Sequence, residues 1–157
     1  MRDAVKAATI MTVNIASNDF FYALQENPNS AGETLKQFAE NISTILKEID
    51  HLNKEVQVYV LGYYNPFQRF TDKKKRKLTR ILNLVNDLTK GKTEERKYTF
   101  VETERIINEN YDECLTNPED FHLSSKGYQL IAHEIFQLLQ WNKIPYVGFE
   151  KIENSFN

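Results

Sequence analysis

The apolar positions of this chain fall into blocks of two different periods. Leu35, Phe38, Ala39, Ile42, Ile45, Leu46, Ile49 and Leu52 recur three and four residues apart, which predicts an amphipathic helix with one core-facing stripe. Ser30, followed three residues on by Glu33, forms a capping box at its start. Thr9–Ile15 is β-branched and nearly all apolar, and Gln57–Leu61 has the same character; such runs predict strands of a parallel sheet buried on both faces. Tyr98–Val101 predicts a short third strand. Between the second and third strands, Asp72 caps a helix with Leu78, Ile81, Leu82, Val85 and Leu88 inward. That helix is expected to reach Thr89 and to stop at Lys90-Gly91-Lys92.

The remaining segments are less regular. Residues 2–8 read as the last turns of a helix, Phe20–Leu24 as a short helical or looped aromatic segment, and 102–116 as a helical turn and then loop. Ser124 is placed to cap a final helix with Tyr128, Ile131, Ala132, Ile135 and Leu139 on its core face. Alternating helices and strands predict an α/β fold, a parallel sheet covered by helices. Residues 1–141 are expected to form the domain, and 142–157 a tail whose Tyr146 and Phe149 pack back on the body together with Trp141.

Composition narrows the class. With 157 residues the chain has the length of one domain. A net charge of −2 gives no reason to expect a nucleic-acid partner, and the single charge run, Asp72 to Lys77, reads as the solvated first turn of its helix. Cys114 is the sole cysteine; it excludes an intramolecular disulfide and a cysteine metal cluster, and its expected role is a small, partly buried filler. No metal or organic cofactor is implied. The opening residues are too short and too charged for a secretory signal, and no apolar run reaches the length of a membrane span. The chain therefore reads as cytoplasmic, with an extracellular or cell-surface parent the alternative should a signal precede it.

Candidate chemistry gathers where the strands end. Ala16-Ser17-Asn18-Asp19 follows the first strand and Gly62-Tyr63-Tyr64-Asn65-Pro66-Phe67 the second, at the edge where open α/β sheets place their ligands. The turn Asn117 to Ser124 delivers His122 just ahead of the last helix, with Glu119 and Asp120 beside it. A histidine so placed suits a general base, and either carboxylate suits the group that orients it. The Asn18 amide suits an oxyanion donor, while Asp19 reads as structural, tying its loop through backbone amides. Tyr63, Tyr64 and Phe67 line an acyl pocket or cover the core, and both readings stay open. His51 at a helix C-terminus needs no functional role, and His133 reads as a surface or boundary residue.

These residues resemble a known family. Val13-Asn14-Ile15-Ala16-Ser17-Asn18-Asp19 looks like the G-x-N-D block of the SGNH (GDSL-type) esterases and lipases, and Glu119-Asp120-Phe121-His122 with Ser124, Gly127 and Tyr128 looks like their C-terminal D-x-x-H block. The order, the spacing and the strand before Gly62 fit the bacterial lipase/acylhydrolase branch. The resemblance implies a flavodoxin-like three-layer fold (the SGNH hydrolase fold). It also implies hydrolysis of carboxylic esters, lipid or short acyl, through a serine acyl-enzyme. His122 would be the base, Asp120 or Glu119 its orienting acid, and Asn18 an oxyanion donor.

Four departures from the family pattern matter. Ala16 replaces a glycine, Glu119 rather than aspartate stands three before the histidine, and Leu123 replaces a proline. The fourth is the absence of any Gly-Asp-Ser, so the nucleophile block is missing and the chain resembles an N-terminally incomplete member of the family. The expectation is a chain inactive alone, needing a missing N-terminal segment or self-associating through the exposed edge of its first strand. The alternative is a non-catalytic remnant or interaction module that kept the SGNH scaffold.

Overall fold

A computed structural model describes residues 2–15, 31–69, 72–117 and 120–141. In chain order the elements are α1 (Arg2–Ala7), β1 (Ile10–Val13), α2 (Ala31–Leu52), β2 (Gln57–Leu61), a 3-10 turn (Pro66–Arg69), α3 (Asp72–Glu94), β3 (Thr99–Val101), α4 (Thr103–Glu109), α5 (Tyr111–Cys114) and α6 (Ser125–Trp141). The strands form one parallel sheet in the order β1-β2-β3. Ile10 pairs with Gln57 and Tyr59 with Thr99.

Side chains of β2 alternate between two cores, as the two-residue period of a strand requires. Val58 and Val60 join Phe38, Ile42, Leu46 and Ile49 of α2 and Ile81, Leu82 and Val85 of α3 in one cluster. Leu61 packs instead with Ile107, Cys114, Leu115, Leu123 and Ile131 in the other. The sheet is thus sandwiched between α2/α3 and α4–α6, a three-layer α/β architecture. Within the described residues β1 stands at one end of the sheet, with Ile10 39% exposed.

Several elements differ from the sequence expectation. The third helix does not stop at Lys90-Gly91-Lys92 but continues to Glu94. Its buried stripe runs on from Val85 to Thr89 and Thr93, whose hydroxyls donate to the carbonyls of Val85 at 2.8 Å and Thr89 at 2.7 Å. One exposed glycine, with a helix cost of about 1 kcal/mol, does not interrupt a face that packing sustains. Residues 102–116 are not a turn and loop but mainly the helices α4 and α5. Thr103, Ile106 and Ile107 are buried at helical spacing, and the Thr103 hydroxyl donates to the Gly62 carbonyl. No side chain caps either helix, so tertiary contacts rather than local signals define them.

The last helix is rotated from the expected face. Ile131 is buried, but Tyr128 is 56% exposed and Ala132 lies outside too. Buried Gly127 occupies the inward position and lets the helix backbone approach Leu123 and Cys114. Apolar periodicity passes over a glycine, which is why the predicted stripe fell one position off. Cys114 is fully buried. The short helix α1 has no buried residue and is tied down by Asn53, whose amide donates to the carbonyls of Val5, Lys6 and Ala8. Ser30, Phe20–Leu24 and the tail 142–157 lie outside the described residues. No described helix is long and apolar enough to cross a membrane.

Candidate active site

The segment after β2 is tied to the end of β1 by a tyrosine and to α3 and α4 by an asparagine. The Tyr63 hydroxyl donates to the Ile15 carbonyl at 2.5 Å, just past β1. Asn86 of α3 accepts from the Tyr63 N–H at 2.7 Å, and its amide donates to the Tyr63 carbonyl at 2.9 Å and to the Glu104 carboxylate at 3.0 Å. Tyr63 itself is buried, its ring edge-on to Phe38 with centroids 6.0 Å apart. Burial pushes its phenol up to about 12, against a smaller opposing contribution from Thr89. Of the two readings open for this residue, the structure gives the core position.

Beyond Tyr63 the segment turns toward the histidine loop. Asn65 is buried and shapes the turn, accepting from the Phe67 N–H at 2.9 Å and donating to Thr79 Oγ1 at 3.0 Å. Phe67 is buried with its ring edge-on to Phe121 at 5.9 Å between centroids. The Tyr64 hydroxyl donates to the Phe121 carbonyl at 2.6 Å. Arg69 donates to the Leu115 carbonyl at 2.5 Å and lies over the Tyr111 ring. The Tyr111 hydroxyl in turn donates to the Pro66 carbonyl at 3.0 Å.

The histidine loop is built around one carboxylate oxygen. Asp120 Oδ1 accepts the backbone N–H of His122 at 3.0 Å and lies 2.5 Å from His122 Nδ1. Those contacts, the backbone N–H foremost and the ring second, hold the Asp120 carboxyl below the usual aspartate range. A carboxylate facing Nδ1 requires the ring proton there, which leaves Nε2 with a free lone pair as acceptor. The imidazole is open to the outside, with 83% of its side chain exposed. Ser124 closes the loop: its N–H donates to the Cys114 carbonyl at 2.8 Å, its hydroxyl to the Glu113 carbonyl at 2.6 Å, and it accepts the Gly127 N–H at 3.3 Å. Ser124 therefore caps α6, and its hydroxyl is engaged on both sides.

Asp120, His122, Tyr64 and Phe67 are thus brought together, whereas Tyr63 packs in the core behind them. Asn18, Asp19 and Glu119 lie outside the described residues. Of the other histidines, His51 lies in the last turn of α2, and His133 is exposed on α6 with Nε2 2.9 Å from Gln137. Among the described residues no group of three His, Cys, Asp or Glu side chains is spaced to hold a metal ion. Sequence reasoning found the Ser124 cap but missed the ties made by Tyr64, by Asn86 and by the Ser124 hydroxyl to the Glu113 carbonyl. The first spans 57 residues, and nothing in local sequence signals it beyond a tyrosine at a strand end.

Comparison with known proteins places this geometry in context. The GDSL-like Lipase/Acylhydrolase family model matches residues 1–135. The uncharacterized protein YpmR of Bacillus subtilis (strain 168) is 24% identical over 152 residues, an overlap of 92% of this chain and 59% of that protein. The chain thus spans under two thirds of that relative's length. Among solved structures, the lipase Lip_vut3 from a goat rumen metagenome has the same fold, with a TM-score of 0.61 at 19% identity, covering 87% of this chain and 66% of that one.

Proposed function

The chain belongs to the GDSL-like lipase/acylhydrolase family of hydrolases, and from that premise we propose that it carries the acid–base part of a carboxylic-ester hydrolase. The observation that carries the reading is the Asp120 carboxylate set 2.5 Å from His122 Nδ1 on the loop ahead of α6. In this reading Nε2 takes the proton of a serine nucleophile as it attacks the ester carbonyl, then gives it to the departing alcohol. Water next attacks the acyl-enzyme with the same imidazole as base, releasing the acid and restoring the serine. Asp120 keeps the ring in the productive tautomer and stabilises its protonated form. Its contact supports Asp120 rather than Glu119 as the orienting acid. The Asn18 amide is the proposed oxyanion donor.

The serine comes from a Gly-Asp-Ser block that this sequence does not contain. In this reading Tyr64 and the 48% exposed Phe121 ring, backed by buried Phe67, give the apolar wall beside His122 on which a lipid or short acyl chain rests. A second reading, a scaffold without chemistry, draws on Ser124: this serine, two residues from His122, is occupied in capping.

Hydrolysis of a short-chain chromogenic ester separates the two readings. It is measured on this chain alone and mixed with a separately made N-terminal segment carrying Gly-Asp-Ser. The expected result is activity in the mixture only, lost on His122→Ala. An inactive mixture, with the complex verified, would sink the catalytic reading and leave the scaffold.

A further inference from the structure

The two paired side chains of the Asp120–His122 turn have little packing of their own, Asp120 being 46% and His122 83% exposed, while the Phe121 ring between them meets Phe67 edge-on. A turn so open keeps one orientation only through anchors from elsewhere. Ser124 supplies one at its C-terminal end, through the Cys114 and Glu113 carbonyls. At its N-terminal end the Asp120 N–H donates to the Asn117 carbonyl at 3.3 Å, and a further anchor comes from the segment after β2, where the Tyr64 hydroxyl donates to the Phe121 carbonyl at 2.6 Å. That carbonyl belongs to the same planar peptide unit as the His122 N–H. The N–H is in turn the donor that Asp120 Oδ1 accepts at 3.0 Å.

We propose that Tyr64 is a positioning residue, whose hydroxyl fixes the Phe121–His122 peptide plane so that Asp120 holds His122 through backbone and ring together. The inference rests on the reading of Asp120 and His122 as the acid–base pair. Three features support it. The donor is a short phenolic bond, the acceptor lies between the two paired residues, and the Phe67 ring meets Phe121 edge-on from the same segment. Burial first, and then the charges of Tyr128 and Asp120, push the Tyr64 phenol up to about 12, so it remains a neutral donor through the neutral range. Among the described residues, His122 acts on the Asp120 carboxyl, and Tyr128 and Asp120 act on the Tyr64 phenol.

The test is the titration of the Asp120 carboxyl, followed by carbon NMR in the wild type, Tyr64→Phe and Tyr111→Phe. Tyr111 is the control because its hydroxyl bonds Pro66, off the turn. Loss of the Tyr64 hydroxyl is expected to move the Asp120 midpoint upward toward the ordinary value of about 3.9, with Tyr111→Phe unchanged from wild type. An unmoved midpoint in folded Tyr64→Phe, or an equal shift in both variants, would overturn the proposal. Should Tyr64→Phe fail to fold, the wild type gives a second reading: a Tyr64 hydroxyl proton protected from exchange and close to the His122 amide. A freely exchanging hydroxyl overturns it as well. None of these readouts uses hydrolysis, so failure of the positioning role is separable from failure of the acid–base reading.

Discussion

At the residue scale, Asp120 decides whether His122 is a base or an ornament of the loop. Its carboxyl is held below the usual aspartate range by the His122 N–H and ring. A lowered value means that the contact is fully present above the unfolded-state value of about 3.9. It is lost only as pH falls through the lower folded value. Asp120→Asn keeps the side-chain volume but removes the charge and the demand for a proton on Nδ1. In the complemented enzyme it is expected to cut turnover by roughly 10²–10⁴, the usual range for a displaced acid–base group. The melting temperature should barely move, because the side chain is half exposed. Unchanged turnover would remove Asp120 from the mechanism.

This pair was legible in the sequence because a short turn carries both residues and a capped helix follows. The tie from Tyr64 was not legible: it depends on which way a strand-end side chain turns, and on a partner 57 residues distant. Nor was the core position of Tyr63, which adjacent Tyr64 does not share. Both residues lie past the end of β2, where strand alternation no longer fixes the side, so that Tyr63 joins the cluster of Val58 and Val60 while Tyr64 packs against that of Leu61.

At the scale of elements, α3 shows a glycine and a turn residue in exchanged places. The helix runs through Gly91 and ends in a Schellman turn, with the Tyr98 N–H bonded to the Thr93 carbonyl at 3.1 Å and the Lys97 N–H to the Glu94 carbonyl at 2.9 Å. The left-handed position of that motif, where glycine is usual, is filled by Lys97 at φ 60°. A Cβ at Gly91 would meet nothing within 4 Å, so Gly91→Ala is expected to stabilise by about 0.5–1 kcal/mol. Lys97→Gly relieves left-handed crowding of about 1–2 kcal/mol against a chain-entropy cost of about 0.5–1 kcal/mol. A net gain of about 0–1.5 kcal/mol follows from that difference. Urea unfolding measures both; a loss of stability in either variant would contradict this account of the helix end.

The same comparison explains what was readable in the elements. The three strands announce themselves as short β-branched apolar runs and the long helices by period, because β2 is covered on both faces and each long helix on one. Gly91 misled as a stop signal because local propensity is weak beside the packing of Thr89 and Thr93. The helices of residues 103–114 were hidden since no side chain caps them, and the first is anchored from a distance, by the Thr103 hydroxyl on the Gly62 carbonyl and by Lys90 on Glu102 at 2.7 Å.

At the scale of the whole molecule, Tyr63 is the residue at which the layers meet. Its hydroxyl reaches the end of β1, its ring packs on Phe38 of α2, and its backbone is held by Asn86 of α3. Burial raises its phenol from 10.0 to about 12. For a group whose folded value is raised, the linked stability is complete below the unfolded value and disappears as pH climbs through the folded one. The window is therefore pH 10 to 12, and the interval amounts to on the order of 2–3 kcal/mol at 1.36 kcal/mol per pKa unit. Tyr64, also raised to about 12, adds to the same window, with a smaller weight because it is less buried. Tyr63→Phe is expected to start about 1 kcal/mol less stable at pH 8, from the lost bond to the Ile15 carbonyl. Above pH 10 its stability should fall less steeply than that of the wild type, so that the two curves converge. Urea midpoints taken between pH 8 and 11.5 give both slopes. Parallel curves would mean that the phenol ionises without unfolding the core, and that the layers are joined by something other than this one side chain.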